Sequence, residues 1–366
     1  VIFGDKLLVS YIDSVKTRLY VYSMDGVQEK EIQLPSIGSA YFVESGDEIF
    51  AAFETFTQSP SILKIDLENA TTSVFLSAPP RPVNITVNQE FCVSQDGTKV
   101  PMFIIHEHNA ISPMPTMLYG YGGFDNPLLP MFSLRALLLA ELGCCYVIAN
   151  LRGGGEFGED WHNAGKLENK QNVFDDFIGC AQYLIQTGYT TKNTLAIHGG
   201  SNGGLLVGAC MTQRPELFKV ALPSVGVMDM LRYHKFTIGW AWVKEYGSSD
   251  VKEQFEYINK YSPLHNLRNG VCYPSTLVTT SDHDDRVVPA HSFKFTATLQ
   301  EVQSCSNPAL VRIMTDSGHG DKSLSKSINE ITDIVCFMLH HTSFDHCKLI
   351  DPMESAKVGV CVLEES

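Results

Sequence analysis

The sequence is short of positive charge. Its 27 Lys and Arg face 41 Asp and Glu, for a net charge of −14. Such a chain is poorly matched to nucleic acid or to an anionic membrane surface, and neither partner is expected. Long apolar runs are missing too: each is broken well before the roughly 18 residues that a membrane span needs. No CxxC pair occurs among the ten cysteines, which disfavours a zinc knuckle. No metal and no other cofactor is expected. No basic stretch precedes an apolar core near the start, so no signal peptide is visible. The chain opens on Val1 and not on Met, and a natural start further upstream is expected. Cys144 and Cys145 lie in an apolar run and Cys210 in a helix-like stretch. Read as small buried apolar residues, they fit a reducing, cytoplasmic compartment.

What is present is core-forming material. Of 366 residues, 44% are hydrophobic and 19% charged, which suits one large domain or two medium ones. Residues 1–78 read as β. Lys6–Ile12, Arg18–Tyr22, Glu48–Phe53 and Ser61–Asp66 are strand-like, and Asp25-Gly26 is a hairpin turn signal. Two groups of short antiparallel strands result, each the size of a propeller blade, with a small β-sandwich as the alternative. Pro79-Pro80-Arg81-Pro82 marks a linker.

Beyond the linker the texture changes. Gln89 to His106 alternates around Asp96-Gly97 as an antiparallel hairpin. Strands are expected at Thr116–Tyr121, Cys145–Asn150, Thr194–His198, Val220–Pro223, Ser275–Thr279 and Leu310–Met314. Helices are expected near 131–142, 172–187, 202–213, 290–300 and 322–340. Strands alternating with helices predict an α/β fold: a mostly parallel, doubly wound sheet of the α/β-hydrolase type. Sites in such sheets form at the carboxyl ends of the strands.

The sharpest motif is Gly199-Gly200-Ser201-Asn202-Gly203-Gly204. It follows a strand and opens a helix, the setting of a nucleophile elbow. Glycines two residues either side of Ser201 let strand and helix pass closely. The helix N-terminus favours negative charge near the serine oxygen. In this fold the acid and then the base follow the nucleophile in the chain. Twelve histidines compete for the base. His319, in Ser317-Gly318-His319-Gly320, sits on a glycine-flanked loop after the last strand and fits best. His283 is a candidate neighbour, and His340, His341 and His346 come too late. The acid should follow Ser275–Thr279, where Asp282, Asp284 and Asp285 compete. A carboxylate there would hold one imidazole tautomer and stabilise the imidazolium.

Residues from about 88 to 345 resemble the catalytic domain of the prolyl oligopeptidase family. The resemblance is carried by Leu118–Phe124, Ala149–Glu156, Gly199–Gly204, Gly226–Met230, Asp282–Pro289 and Gly318–Gly320. Residues 1–78 resemble the closing part of that family's seven-bladed propeller. The resemblance selects Asp284 as the triad acid beside Ser201 and His319. It implies an oxyanion hole made by the Tyr121 hydroxyl and the Asn202 backbone N–H. It matches Arg286 to an arginine that binds a substrate carbonyl, and Trp242 to a ring that stacks on the substrate proline. Phe124, Val227, Tyr246 and Val287 match further walls of that pocket. Trp240 stands where familiar members carry histidine. An apolar, aromatic pocket argues against trypsin-like relatives, which need acids to receive Arg or Lys.

The resemblance implies a serine endopeptidase that cleaves short, proline-containing peptides on the carboxyl side of proline, and a monomer. It places a partial propeller at 1–80, the α/β-hydrolase domain at 81–348, and a polar tail at 349–366 that is expected to be disordered. Against the family, most of the propeller and an N-terminal segment are missing, so an N-terminally truncated member is expected. A two-blade remnant cannot close a ring and leaves sheet edges exposed. The competing readings are a truncated, non-catalytic binding variant, and an oligopeptidase or esterase of different specificity.

Overall fold

The computed structural model describes residues 1–79, 84–320 and 322–342. Most of the proline-rich linker, His346 and the expected tail lie outside the described residues.

The first 76 residues form two four-stranded antiparallel meanders. One runs through Ile2–Phe3, Lys6–Asp13, Lys16–Ser23 and Gln28–Ile32. The other runs through Ser39–Ser45, Glu48–Glu54, Ser61–Asp66 and Thr71–Leu76. Alternation along each strand sends one set of side chains inward. Leu8, Leu19 and Val21 of the first sheet share a core with Ala51, Phe53 and Leu63 of the second. These are propeller-like sheets, as the strand spacing predicts. Their loops reach the rest of the chain: Val15 and Phe56 enter the core under the larger sheet. Gln89 Nε2 donates to Ser14 O at 2.7 Å, and Phe132 N–H donates to Glu54 Oε2 at 2.9 Å.

The larger sheet has eight strands. Across it lie Ala309–Met314, Ser275–Ser281, Val220–Ser224, Leu195–Gly200, Thr116–Tyr119, Cys145–Ala149, Lys99–Glu107 and Ile85–Val93. The first six are parallel, and the last two form an antiparallel hairpin at one edge. Both faces are covered, so central strands such as Cys145–Ala149 are buried throughout and read as unbroken apolar runs. The pleat is visible in Lys99–Glu107. Met102 and Ile104 face a core under the helices Gln171–Gln186, Asn202–Gln213 and Ala290–Val302. Phe103 and Ile105 face the opposite core, under Leu134–Glu141 and Leu324–His341. Truncating one such buried phenylalanine costs about 3–5 kcal/mol.

All six expected strands and five expected helices are present, with ends shifted by a few residues. The helix Lys252–Tyr261 was not foreseen, because only Ile258 and Tyr261 of it are buried and its apolar signal is thin. The cysteines divide. Cys92, Cys144, Cys145, Cys180 and Cys210 are buried and in no disulfide, as expected of small apolar residues. Cys272 and Cys305 are joined in a disulfide, which the sequence reading did not anticipate. Among the described residues, no helix is long and apolar enough to cross a membrane.

Sheet order positions the site. The chain runs from Thr116–Tyr119 outward to Cys145–Ala149, then crosses back to Leu195–Gly200 on the other side. The carboxyl ends of Thr116–Tyr119 and Leu195–Gly200 therefore flank the point where the winding reverses, which opens a crevice there. Tyr121 and Ser201 stand just past those two ends.

Candidate active site

Ser201 joins the strand Leu195–Gly200 to the helix Asn202–Gln213. Its φ of 58° and ψ of −117° lie where a side-chain-bearing residue is strained. The close passage of strand and helix explains the flanking glycines. A methyl on Gly199 would come within 2.4 Å of the Gly203 carbonyl oxygen, and one on Gly203 within 2.6 Å of Gly120 O. The Ser201 N–H donates to Ser224 O at 2.9 Å, tying the turn to the next strand.

A buried polar chain lies under this turn. His198 Nδ1 is 3.0 Å from the Arg135 guanidinium, and its Nε2 is 3.4 Å from Ser224 Oγ. A guanidinium only donates, so Nδ1 accepts and Nε2 carries the proton. Burial, with Arg135 adding repulsion, holds His198 well below the usual imidazole range.

The three competing aspartates separate by environment. Asp284 is buried, and its Oδ2 lies 2.7 Å from His319 Nδ1. Its Oδ1 accepts the N–H groups of Arg286 at 3.1 Å and Val287 at 2.8 Å. Asp282 braces the loops: it accepts from His283 Nδ1 and from the N–H groups of Asp316 and Ser317. The His283 bond is the main cause that holds Asp282 down to about 2. Asp285 is exposed. Asp282, His283 and Asp316 could together offer three ligand atoms to a metal, but the Asp282 oxygens already have partners.

Between these groups is a cavity of about 390 Å³, lined by Tyr121, Phe124, Ser201, Val227, Ile238, Trp242, Tyr246 and Arg286. Burial pushes the Tyr121 phenol up to about 12, with Tyr119 and Glu245 adding to the rise and Arg286 opposing it. It therefore remains an O–H donor across the working pH range. Phe124 and Tyr246 meet edge to face at 5.5 Å, and Trp242 lies parallel to Tyr233. These contacts fix the aromatic walls without using polar groups. Arg286 is exposed at the rim.

Val287, expected as a wall, is buried and is not among the residues lining the cavity; its N–H is held by Asp284. Ile238 lines the cavity and was missed, because a lone isoleucine in a loop carries no pattern. Trp240 is 68% exposed and stands away from the lining. Glu245 was also missed. It accepts the Phe124 N–H at 2.8 Å and pairs with His162 Nε2 at 2.8 Å, holding the Phe124 loop in place. The motif around Arg152 is structural. The buried guanidinium binds Asp176 and Asp96, and Glu156 accepts the Leu128 N–H.

The sequence pattern of the prolyl oligopeptidase family matches residues 130–344. The prolyl endopeptidase of Elizabethkingia miricola is 44% identical over 354 residues, covering 94% of this chain and 50% of that protein. The prolyl endopeptidase of Dictyostelium discoideum is 45% identical over 349 residues, covering 91% and 46%. Prolyl oligopeptidase B from Galerina marginata, solved bound to a 35mer hydrolysis and macrocyclization substrate, superposes with a TM-score of 0.88 at 35% identity. That match covers 93% of this chain and 50% of the other. The chain spans about half the length of the curated relatives it matches. Over the length it does span, the agreement in sequence and fold is continuous, and the chain belongs to the prolyl oligopeptidase family.

Proposed function

We propose that this chain is a serine peptidase that hydrolyses short peptides on the carboxyl side of proline. The observation that carries the proposal is that Ser201, Tyr121, Arg286 and Trp242 line one cavity. A nucleophile, an oxyanion donor, a carbonyl-binding cation and a flat apolar face then meet around one substrate. The names of the relatives, prolyl endopeptidases, support the same specificity.

In this reading Asp284 accepts the Nδ1–H of His319 and leaves Nε2 free as the base. Ser201 Oγ attacks the carbonyl carbon of the proline while its proton passes to Nε2. The carbonyl oxygen, now negative, is held by the Tyr121 hydroxyl and the Asn202 N–H. The C–N bond then breaks, Nε2–H protonates the leaving amine, and an acyl-enzyme remains on Ser201. Water repeats the sequence in reverse and releases the acid. Arg286 donates to the substrate carbonyl before the scissile bond, and Trp242 covers the proline ring. Among the described residues no hydrogen bond joins Ser201 Oγ to His319, and catalytic bonds of this kind often tighten only when a peptide binds.

The proposal includes a partial propeller at 1–80 that borders a catalytic domain at 81–348. It includes a monomer acting on proline-containing short peptides. A cytoplasmic setting is supported by five buried cysteines that form no disulfide. The Cys272–Cys305 bond argues the other way, since cytosolic disulfides are rare. A free-thiol count on protein taken from its native cell decides between them. The function itself is tested with a blocked Gly-Pro fluorogenic peptide. Wild type should cleave it and Ser201→Ala should not; equal rates would remove Ser201 from the mechanism.

A further inference from the structure

The least expected charge in the molecule is Lys170. Its side chain is 1% exposed. It stands at the N-terminal boundary of the helix Gln171–Gln186, where the helix dipole disfavours a cation. Among the described residues, its three protons meet no carboxylate. Nζ donates to Gly122 O at 2.7 Å and to Asn202 Oδ1 at 3.1 Å, and it lies 5.4 Å from the centre of the Tyr246 ring. Burial without a paired anion is expensive for an ammonium, so such a group needs a reason to be there.

The partners supply the reason. Asn202 follows Ser201, and its backbone N–H is one proposed oxyanion donor. Its side chain also reaches the other donor's residue: Nδ2 donates to Tyr121 O at 2.5 Å, while Oδ1 accepts from Tyr246 Oη at 2.8 Å. Gly122, the other acceptor of Lys170, is the next residue after Tyr121. One ammonium thus ties together the two chain segments that carry the two donors. We propose that Lys170 is a positioning residue for the oxyanion hole, fixing Asn202 and the Tyr121–Gly122 turn and placing buried positive charge behind the developing oxyanion. This rests on Ser201, Asn202 and Tyr121 forming the reacting centre.

The charge and the geometry can be separated. A neutral lysine amine still has two protons for Gly122 O and Asn202 Oδ1. Deprotonation therefore keeps the arrangement and removes only the charge. Burial pulls Lys170 down to about 8, while Glu245 acts in the opposite direction. The other titratable groups around it are Tyr246, whose phenol burial keeps neutral, the Tyr121 phenol at about 12, and His162, which is paired to Glu245. Lys170, brought down to about 8, loses its charge on the alkaline side of neutrality. In a low-dielectric setting that change is felt strongly at the reacting oxygen.

The test is the pH dependence of kcat on the full chain with the blocked Gly-Pro peptide. Wild-type kcat should fall by about tenfold as pH rises through the Lys170 titration. Lys170→Met should lower the neutral-pH kcat by about 10- to 100-fold with KM within about twofold, and its kcat should no longer fall over that range. A Lys170→Met enzyme with wild-type kcat, or with lowered kcat and an unchanged alkaline fall, overturns the proposal. If Lys170→Met does not fold, wild type labelled with 13Cε-lysine decides. The buried lysine signal must titrate together with the fall in kcat; titration elsewhere, or no fall in kcat, also overturns it. Loss of the underlying centre reads differently, because Ser201→Ala would then be as active as wild type.

Discussion

Asp284 Oδ2 sits 2.7 Å from His319 Nδ1, a contact between residues 35 apart that meet only because adjacent strands end side by side. The aspartate is fully enclosed, and two backbone N–H groups hold its other oxygen. The bond occupies Nδ1 and leaves Nε2 as the imidazole nitrogen free of the carboxylate. Asp284→Asn should keep the fold, because the amide oxygen can still accept from Arg286 and Val287. The amide NH₂ would force the opposite tautomer on His319. We expect kcat to fall by about 10,000-fold with little change in KM, measured with the blocked Gly-Pro peptide.

Tyr121→Phe removes one of the two proposed oxyanion donors and leaves the cavity wall intact. The expected loss is about 100- to 1,000-fold in kcat, since the bond matters most once the oxygen is charged. A matching rise in KM instead would mean that Tyr121 binds the ground state.

Trp242→Ala tests specificity apart from chemistry. The ring lies on the cavity wall, stacked on Tyr233. Its loss should raise KM and lower kcat/KM for the Gly-Pro peptide by about 10- to 100-fold. Hydrolysis of a small acetyl ester should change by less than about threefold. Equal losses on both substrates would argue against a proline-binding ring.

Stability should fall in acid through buried histidines. His291 is 1% exposed, and its Nδ1 accepts the Asp229 N–H at 3.0 Å. Burial is the largest effect on it and lowers it to about 4. The unfolded chain therefore binds a proton below about 6.5 that the folded chain refuses. Its contribution is fully present above about 6.5 and is lost as pH falls toward 4, on the order of 3 kcal/mol. His198 acts in the same direction. Urea midpoints from pH 7 to 4.5 should decline, and His291→Gln should flatten the decline by about one proton.

Ser201 was legible because its signal is local: strand, glycines, serine and helix are contiguous, and no distant contact is needed to read them. The strands of the large sheet were legible for a related reason, since burial on both faces leaves unbroken apolar runs. Asp284 could not be told from Asp282 and Asp285 by the residues alone. The three share one loop, and what separates them is burial and the reach of a later loop carrying His319. Lys170 and Glu245 were invisible for a sharper reason. A buried charge looks like a solvent charge in sequence, and only the packing of Gly122, Asn202 and Phe124 around them shows otherwise. The Cys272–Cys305 pair, 33 residues apart and in no recognisable spacing, was hidden in the same way.

The central claim is that Ser201 is an activated nucleophile. It is tested most directly by treating the folded chain with a phosphonofluoridate probe and locating the adduct by peptide mass. The account predicts one adduct per chain, on Ser201, formed rapidly in wild type and at least about 1,000-fold more slowly in Asp284→Asn. A folded chain that carries no adduct, or carries it elsewhere, would contradict it.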